Sequence, residues 1–236
     1  MMFNPAPRLG RQSLGDGAFC LVVDDALQDP AALRDFAAAE RGRFAMAPFN
    51  AYPGLELGLH GPIEAALGEF FDRHIRALLG GRRRERMNCR LAMATTPPEQ
   101  LRPRQCIPHR DSAWIQPQRV AAASVLFLFE DAALGGTSFY RPRQDAAATA
   151  RLVHDSSTLD ADAFTAKYGI GPAYPSGTTR YFEHLASVPA RWNRMIFYDA
   201  RVFHSGDIGD ARALSGKPLD GRLTLNGFFT CTAKAG

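Results

Sequence analysis

Three groups of residues in this chain have the types and spacing for chemistry. The first is His109-Arg110-Asp111. On an extended chain, residues two apart point to the same side, so the imidazole and the carboxylate would share a face as neighbouring metal ligands must. The second is His204, 93 positions after Asp111, at the end of the apolar run Met195 to Phe203. Two histidines and one carboxylate make a facial set of ligands that leaves positions open on ferrous iron. The third is Arg222-Leu223-Thr224. Arginine offers a fork of donors that matches a carboxylate in two parallel hydrogen bonds, and the threonine hydroxyl two residues on would face the same side. Taken singly, an HxD occurs by chance, a lone histidine after an apolar strand is commonly a packed one, and a lone arginine is commonly an ion-pair residue. Their order across successive β runs is what points to a metal centre.

The chain must supply elements that hold these groups. Ala18 to Val23 predicts a strand. Asp29-Pro30 opens a helix over 31–40, with aspartate as the cap and proline in the first turn. Phe49 to Gly58, rich in Pro, Gly and Tyr, predicts a loop. Pro62 to Leu79 carries apolar residues at helical spacing (Ile63, Ala66, Leu67, Phe70, Phe71, Ile75, Leu78), and Gly80-Gly81 ends it. From about residue 86 the pattern becomes short β runs: 86–95, 106–111, 120–129, a hairpin turning at Leu134-Gly135-Gly136 into 137–141, then 194–198, 202–205 and 222–231. Residues 142–192 read as an insertion with helices near 159–168 and 178–187. Helices first and many strands after predict a mainly β fold with flanking helices, a double-stranded β-helix (jelly roll, cupin-like). The expected organisation is a single domain over 1–236, with the strand and helices of 18–80 packed on a core at 86–231.

The order HxD, distal histidine, R-x-T resembles the 2-oxoglutarate/Fe(II) dioxygenase superfamily, closest to its prolyl-4-hydroxylase-like branch and, within it, to uncharacterised bacterial groups. Ala132 to Phe139 is similar to the family's Gly-Gly segment leading into a strand that ends in an aromatic residue. Met195 to Gly206 is similar to its distal-histidine strand pair. The likeness covers about 86–231, without 142–192. It implies Fe(II) on His109, Asp111 and His204. It also implies 2-oxoglutarate with its far carboxylate on Arg222 and Thr224, and O2 as cosubstrate, with succinate and CO2 released as a substrate is hydroxylated. Family halogenases carry a small residue where Asp111 stands, so the carboxylate implies hydroxylation. Asn88, or Arg90 beside it, would be a further 2-oxoglutarate contact. The interval from His204 to Arg222 is 18 positions, longer than in many members. Arg212 lies eight positions on, in a Gly/Asp-rich loop, and is the alternative.

Two other readings compete: a cupin-like metal enzyme that keeps the three ligands without 2-oxoglutarate, and a non-catalytic jelly-roll binding module. The substrate is expected to be a small molecule or a peptidyl side chain. Apolar residues at 46% and charged residues at 22% exclude bulk disorder. No apolar run approaches the roughly 20 residues a membrane span requires, and the N-terminus lacks a signal-peptide core, so a cytoplasmic location is expected. The net charge is +4, mostly from arginine, and its densest run is Arg82-Arg83-Arg84-Glu85-Arg86. With no aromatic between Phe71 and Trp114 to stack bases, that run reads as a solvated face and nucleic acid is disfavoured. Cys20, Cys89, Cys106 and Cys231 form no close pair, which argues against a zinc knuckle or a disulfide framework; they read as small fillers of strand interiors. His60, His74, His154 and His184 have no partner at ligand spacing. Trp114, Tyr140 and Tyr198 are large aromatics that could line a pocket or fill a core.

Overall fold

A computed structural model describes residues 2–15, 17–46, 52–112, 116 and 118–234. In chain order the elements are β1 (Arg8–Gly15), β2 (Ala18–Asp24), α1 (Pro30–Ala39), β3 (Ala45–Met46), β4 (Gly54–Leu59), α2 (Pro62–Phe70) and β5 (Gly81–Ala94). They continue with β6 (Arg119–Phe127), β7 (Thr137–Pro142), α3 (Ala146–Thr158), α4 (Ala161–Tyr168), β8 (Phe182–Val188), β9 (Met195–Asp199), β10 (Phe203–Gly206) and β11 (Leu223–Ala233). An eight-stranded sheet has the order β1-β2-β9-β6-β11-β5-β4-β3, and a three-stranded sheet the order β10-β7-β8. His109 bridges to His204 and extends the smaller sheet by one position. From β6 onward the chain alternates between sheets: β6 in the large, β7 and β8 in the small, β9 in the large, β10 in the small, β11 in the large. That winding is the double-stranded β-helix expected from the sequence.

Strand alternation divides the large sheet into two faces. Leu223, Leu225, Phe229 and Cys231 of β11 point outward with Leu91, Met93 and Phe197, and are covered by Leu33 of α1 and Leu67 and Phe70 of α2. Helix α1 starts as expected: the Asp29 side chain accepts from the Ala32 amide at 3.0 Å, and Pro30 sits in the first turn. Helix α2 runs on through a π turn over Phe71–Ile75, and Phe71 stacks on Phe229 with ring centroids 3.9 Å apart. The other face of the large sheet, with Phe127, Ile196 and Tyr198, meets Phe139 and Val188 of the small sheet. All four cysteines are buried and free; Cys20, Cys89 and Cys231 lie in strands and Cys106 does not. Among the described residues no helix is long and apolar enough to cross a membrane.

Five local expectations are corrected. Gly54–Leu59 is a strand, not part of a loop; Leu57 and Leu59 are buried at period two, a pattern masked in the sequence by the neighbouring Pro, Gly and Tyr. Residues 49–51 of that expected loop lie outside the described residues. The helix expected over 178–187 is instead β8, which pairs with β7 from Thr137↔Val188 to Pro142↔Phe182. Its fate is set by partners 40 or more residues away, which local periodicity does not see. Residues 142–192 are therefore not wholly an insertion, because β8 is a core strand. Residues 106–111 form no strand, only the bridge at His109. Strands β6 and β7 are not a hairpin: they lie in different sheets, and the segment between them crosses from one to the other. Strand β1 was not foreseen.

That crossing depends on Gly135 and Gly136. Gly135 has φ +72° and ψ 161°, and a Cβ there would strike the Asp207 carbonyl oxygen; a Cβ on Gly136 would strike that of Val188. Gly135→Ala is expected to destabilise the protein by at least about 2 kcal/mol, because the backbone region is close to glycine-only and the contact is with backbone. A urea titration monitored by circular dichroism checks it, and an unchanged midpoint would refute it.

Candidate metal centre

His109 and His204 face each other across a narrow antiparallel pair. The His109 amide donates to the His204 carbonyl at 2.9 Å, and the His204 amide to that of His109 at 2.8 Å. His204 is further fixed by β10, where it stands opposite Phe139 of β7. Its Nδ1 lies 3.0 Å from the Val202 carbonyl oxygen, to which it donates, so Nε2 is left as the lone-pair nitrogen. That Nε2 is 3.3 Å from Asp111 Oδ2, and His109 Nε2 is 3.7 Å from Asp111 Oδ1. The ligand atoms of the three residues all lie within 4.8 Å of one another. Neighbouring ligands at about 2.1 Å from one six-coordinate ion stand about 3 Å apart, so the set fits a metal with small side-chain adjustments. Asp111 reaches the cluster from just beyond the bridge, with its side chain only 13% exposed; no regular strand carries it there.

The electrostatics suit a cation. Burial pushes the Asp111 carboxyl up, but the two imidazoles outweigh it and the net shift is downward, so the group is ionised. Burial and the neighbouring His204 push His109 down to about 4, so it is neutral. For His204, burial lowers the pKa, yet the adjacent Asp111 carboxylate and the Val202 carbonyl raise it further, and the net is upward. An ionised Asp111 and a neutral His109 are the states a metal requires of them.

The cluster opens into a cavity between the sheets that is open to solvent on one side and lined by Tyr52, Arg90, Tyr198, Arg222, Thr224, Asn226 and Phe228 among others. Arg222, 4% exposed, sits immediately before β11. Its Nε donates to the Leu134 carbonyl at 2.9 Å and its Nη2 to that of Gly136 at 2.6 Å, so the glycine crossing also braces this side chain. Among the described residues no acidic side chain forms an ion pair with it. Burial lowers its pKa, while the Tyr52 hydroxyl is the strongest opposing influence. Tyr52 is itself pushed up to about 12 by burial and lies within hydrogen-bond reach of Thr224. The remaining guanidinium donors, the Tyr52 hydroxyl and Thr224 therefore form one polar end of the cavity.

The structure brings His109, Asp111, His204, Arg222 and Thr224 to one cavity. Asn88 is exposed and does not line it; Arg90 does, pairing with Glu56 at 2.6 Å and covering the Phe228 ring at 4.5 Å. Asn88 is thereby corrected as a contact inside the cavity: it stands opposite the lining Phe228 but is exposed at the cavity's outer edge. Arg212 is 92% exposed and paired with Asp210, which removes it as the alternative to Arg222. Tyr198 lines the cavity. Tyr140 instead packs with Ile107 and Phe203 and donates to the Pro175 carbonyl. Trp114 lies outside the described residues. Sequence reasoning missed several lining residues, among them Asn226, Tyr52 and Phe228. Asn226, whose buried Oδ1 has no hydrogen-bond partner among the described residues, extends the alternation Arg222-Leu-Thr224-Leu-Asn226 and was open to detection there. Tyr52 comes from a segment with no periodic signal.

Residues 5–229 match the model of a family of unknown function, DUF6445. The chain belongs to that family. No curated protein matches it. Among solved structures, DUF6445 as represented by this chain is similar to a Pseudomonas putida prolyl-4-hydroxylase, with 16% identity over 93% of this chain and 95% of that one and a TM-score of 0.45. It is also similar to HygX from Streptomyces hygroscopicus with nickel and 2-oxoglutarate bound, with 7% identity, coverage of 93% and 84%, and a TM-score of 0.49. A third is the non-heme alpha ketoglutarate dependent carbocyclase SnoK from nogalamycin biosynthesis, with 12% identity, coverage of 90% and 79%, and a TM-score of 0.47. The roles of this DUF6445 member's site residues rest on its own geometry.

Proposed function

We propose that this DUF6445 protein is an Fe(II)- and 2-oxoglutarate-dependent oxygenase, acting as one domain over 1–236 in the cytoplasm. One observation carries the reading. Two imidazoles and a carboxylate converge in a cavity that also holds a buried arginine with donors to spare and no ion pair among the described residues. A metal needs the first group and a dicarboxylate needs the second. Ferrous iron with 2-oxoglutarate and O2 supplies the oxidising power for hydroxylation, leaving succinate and CO2 as co-products.

His109, Asp111 and His204 would hold the iron. The Val202 carbonyl keeps Nε2 of His204 free for it, and the inward carboxylate of Asp111 keeps the third protein position filled. Arg222, with Thr224 and Tyr52, would hold the distal carboxylate of 2-oxoglutarate, fixing how deep that molecule sits. Tyr198 and Phe228 would wall the cavity beside the metal. The substrate class at this level is a peptidyl side chain, an amino acid or a small metabolite.

The test is release of succinate from 2-oxoglutarate by purified protein with Fe(II) and air. Slow release without added substrate, abolished by omitting iron, is the expected result. Metal binding without any 2-oxoglutarate binding would replace this reading with the cupin-like one. Binding of neither would leave a non-catalytic jelly-roll module.

A further inference from the structure

The run Arg82 to Arg86, read from the sequence as a solvated face, is split between the two faces of the large sheet by β-bulges. On β11 the alternation continues from Thr224 through Asn226 and Phe228, which line the cavity, to Thr230 and Thr232. Opposite them β5 presents Arg90 to Asn226, Asn88 to Phe228, Arg86 to Thr230 and Arg83 to Thr232. Directly opposed residues share a face. In a regular strand Arg83 and Arg86, three apart, would point to opposite faces. The register shift between Thr230 and Cys231 inserts one extra residue in β5 and brings both to the cavity's face. Arg84 goes the other way, opposite Cys231, and pairs with Asp72 at 3.0 Å.

The same sheet face that floors the cavity therefore continues outward as a shelf: half-buried Phe228, then exposed Asn88, Arg86 and Arg83. Its charges are unequally balanced. Arg90 is paired with Glu56 and Arg119, opposite Thr232 on the other flank, with Glu85, each at 2.6 Å. Arg86 and Arg83 form no ion pair among the described residues; the Glu85 carboxylate, bonded to Arg119, acts on both only through space. At about 3.4 Å per residue, the positions facing Thr230 and Thr232 lie roughly 14 and 20 Å along the strand from Asn226.

We propose that this shelf docks an acidic peptide segment, lying extended with its carboxylates on Arg86 and Arg83 and its reacting residue at the His109–Asp111–His204 cluster. The reaction part of this rests on the oxygenase reading; the docking part does not. The reach decides for a peptide over a small metabolite: 14 to 20 Å is four to six residues of extended chain at about 3.4 Å each. Guanidinium forks match carboxylates in pairs. A nucleic-acid strand would want a row of free rings to stack on. Among the described residues the shelf offers one ring, Phe228, and Arg90 already covers it. Asn88 then serves the peptide rather than 2-oxoglutarate.

The test is fluorescence anisotropy with the full chain and three labelled probes: a ten-residue peptide library with glutamates fixed at one end, the same library with lysines there, and a ten-residue oligothymidylate. The glutamate library should bind at least tenfold more tightly than either other probe. The exchange Arg83→Glu with Arg86→Glu should weaken it at least tenfold. A control exchange of two exposed arginines elsewhere, Arg73→Glu with Arg151→Glu, should leave it within twofold. Equal binding of the two libraries, equal loss in both double variants, or preference for the oligothymidylate would each overturn the proposal. Anisotropy needs neither iron nor turnover, so a failure here is separable from a failure of the oxygenase reading.

Discussion

His204→Ala is expected to yield a protein that still unfolds cooperatively and no longer gains stability from a divalent metal. In the wild type, Fe(II) or Ni(II) bound only by the folded state should raise the unfolding free energy by about 2.7 kcal/mol at a hundredfold excess over its dissociation constant. The variant should lose at least about a hundredfold in metal affinity, since even the partners that merely orient ligands are worth 10–100-fold, and so most of that gain. The fold should survive because His204 is held mainly through its backbone: both of its hydrogen bonds to His109, and the β10–β7 pairing, are independent of the imidazole. What the metal-free variant does lose is the Nδ1 hydrogen bond to the Val202 carbonyl at 3.0 Å, the ring contacts with His109 and Tyr198 at 4.4 and 4.8 Å between centroids, and the carboxylate contact to Asp111 at 3.3 Å. Leaving Asp111 with His109 alone should cost about 1–3 kcal/mol, less than the total stability of an ordinary domain. Thermal unfolding scans with and without metal read both quantities. Loss of cooperative unfolding would make His204 a core histidine; an undiminished metal-induced shift would remove it from the ligand set.

The contrast between His204 and Asp111 shows what was legible in the sequence. His204 ends an apolar strand whose pattern is local, and β9 and β10 lie where that pattern predicts. The spacing of His109 and Asp111 was read through strand geometry that 106–111 does not adopt; the two still converge because the bridge to His204 orients one and the chain beyond it returns the other. The jelly roll was legible as a class because many short β runs admit few other closures. Its pairing was not. Phe182 to Val188 has no strict alternation, and only β7 alongside decides that it is a strand. The same limit hid the β5 bulges: the spacing of Arg83 and Arg86 says nothing of a shared face until β11 fixes the register.

Arg222 is where structure most changes the expected experiment. In the sequence, the family resemblance gives Arg222 the far carboxylate of 2-oxoglutarate as its partner. In the structure the guanidinium already donates to two backbone carbonyls, Leu134 and Gly136. Arg222→Ala would therefore strip donors from two buried acceptors, at about 1–3 kcal/mol each, and loosen the glycine crossing as well as the cavity. The informative variant is Arg222→Lys. Lysine keeps the charge and one donor toward the crossing but not the planar fork, so the fold and the metal-induced stabilisation should persist. Binding of 2-oxoglutarate should weaken by roughly tenfold to a hundredfold, since a charged hydrogen bond contributes about 1.5–3 kcal/mol. Anaerobic titration of 2-oxoglutarate into metal-loaded protein measures this without turnover. Thr224→Ala should weaken it less, through a single neutral hydroxyl that is also 3.4 Å from the Ala92 carbonyl oxygen. If Arg222→Lys binds 2-oxoglutarate as the wild type does, the carboxylate lies elsewhere. Arg90, which shares the cavity and faces Asn226 across β5 and β11, becomes the residue to exchange next. In that case the uncompensated donors around Arg222 would need another ligand, and Tyr52 and Thr224 beside them would define its polar end.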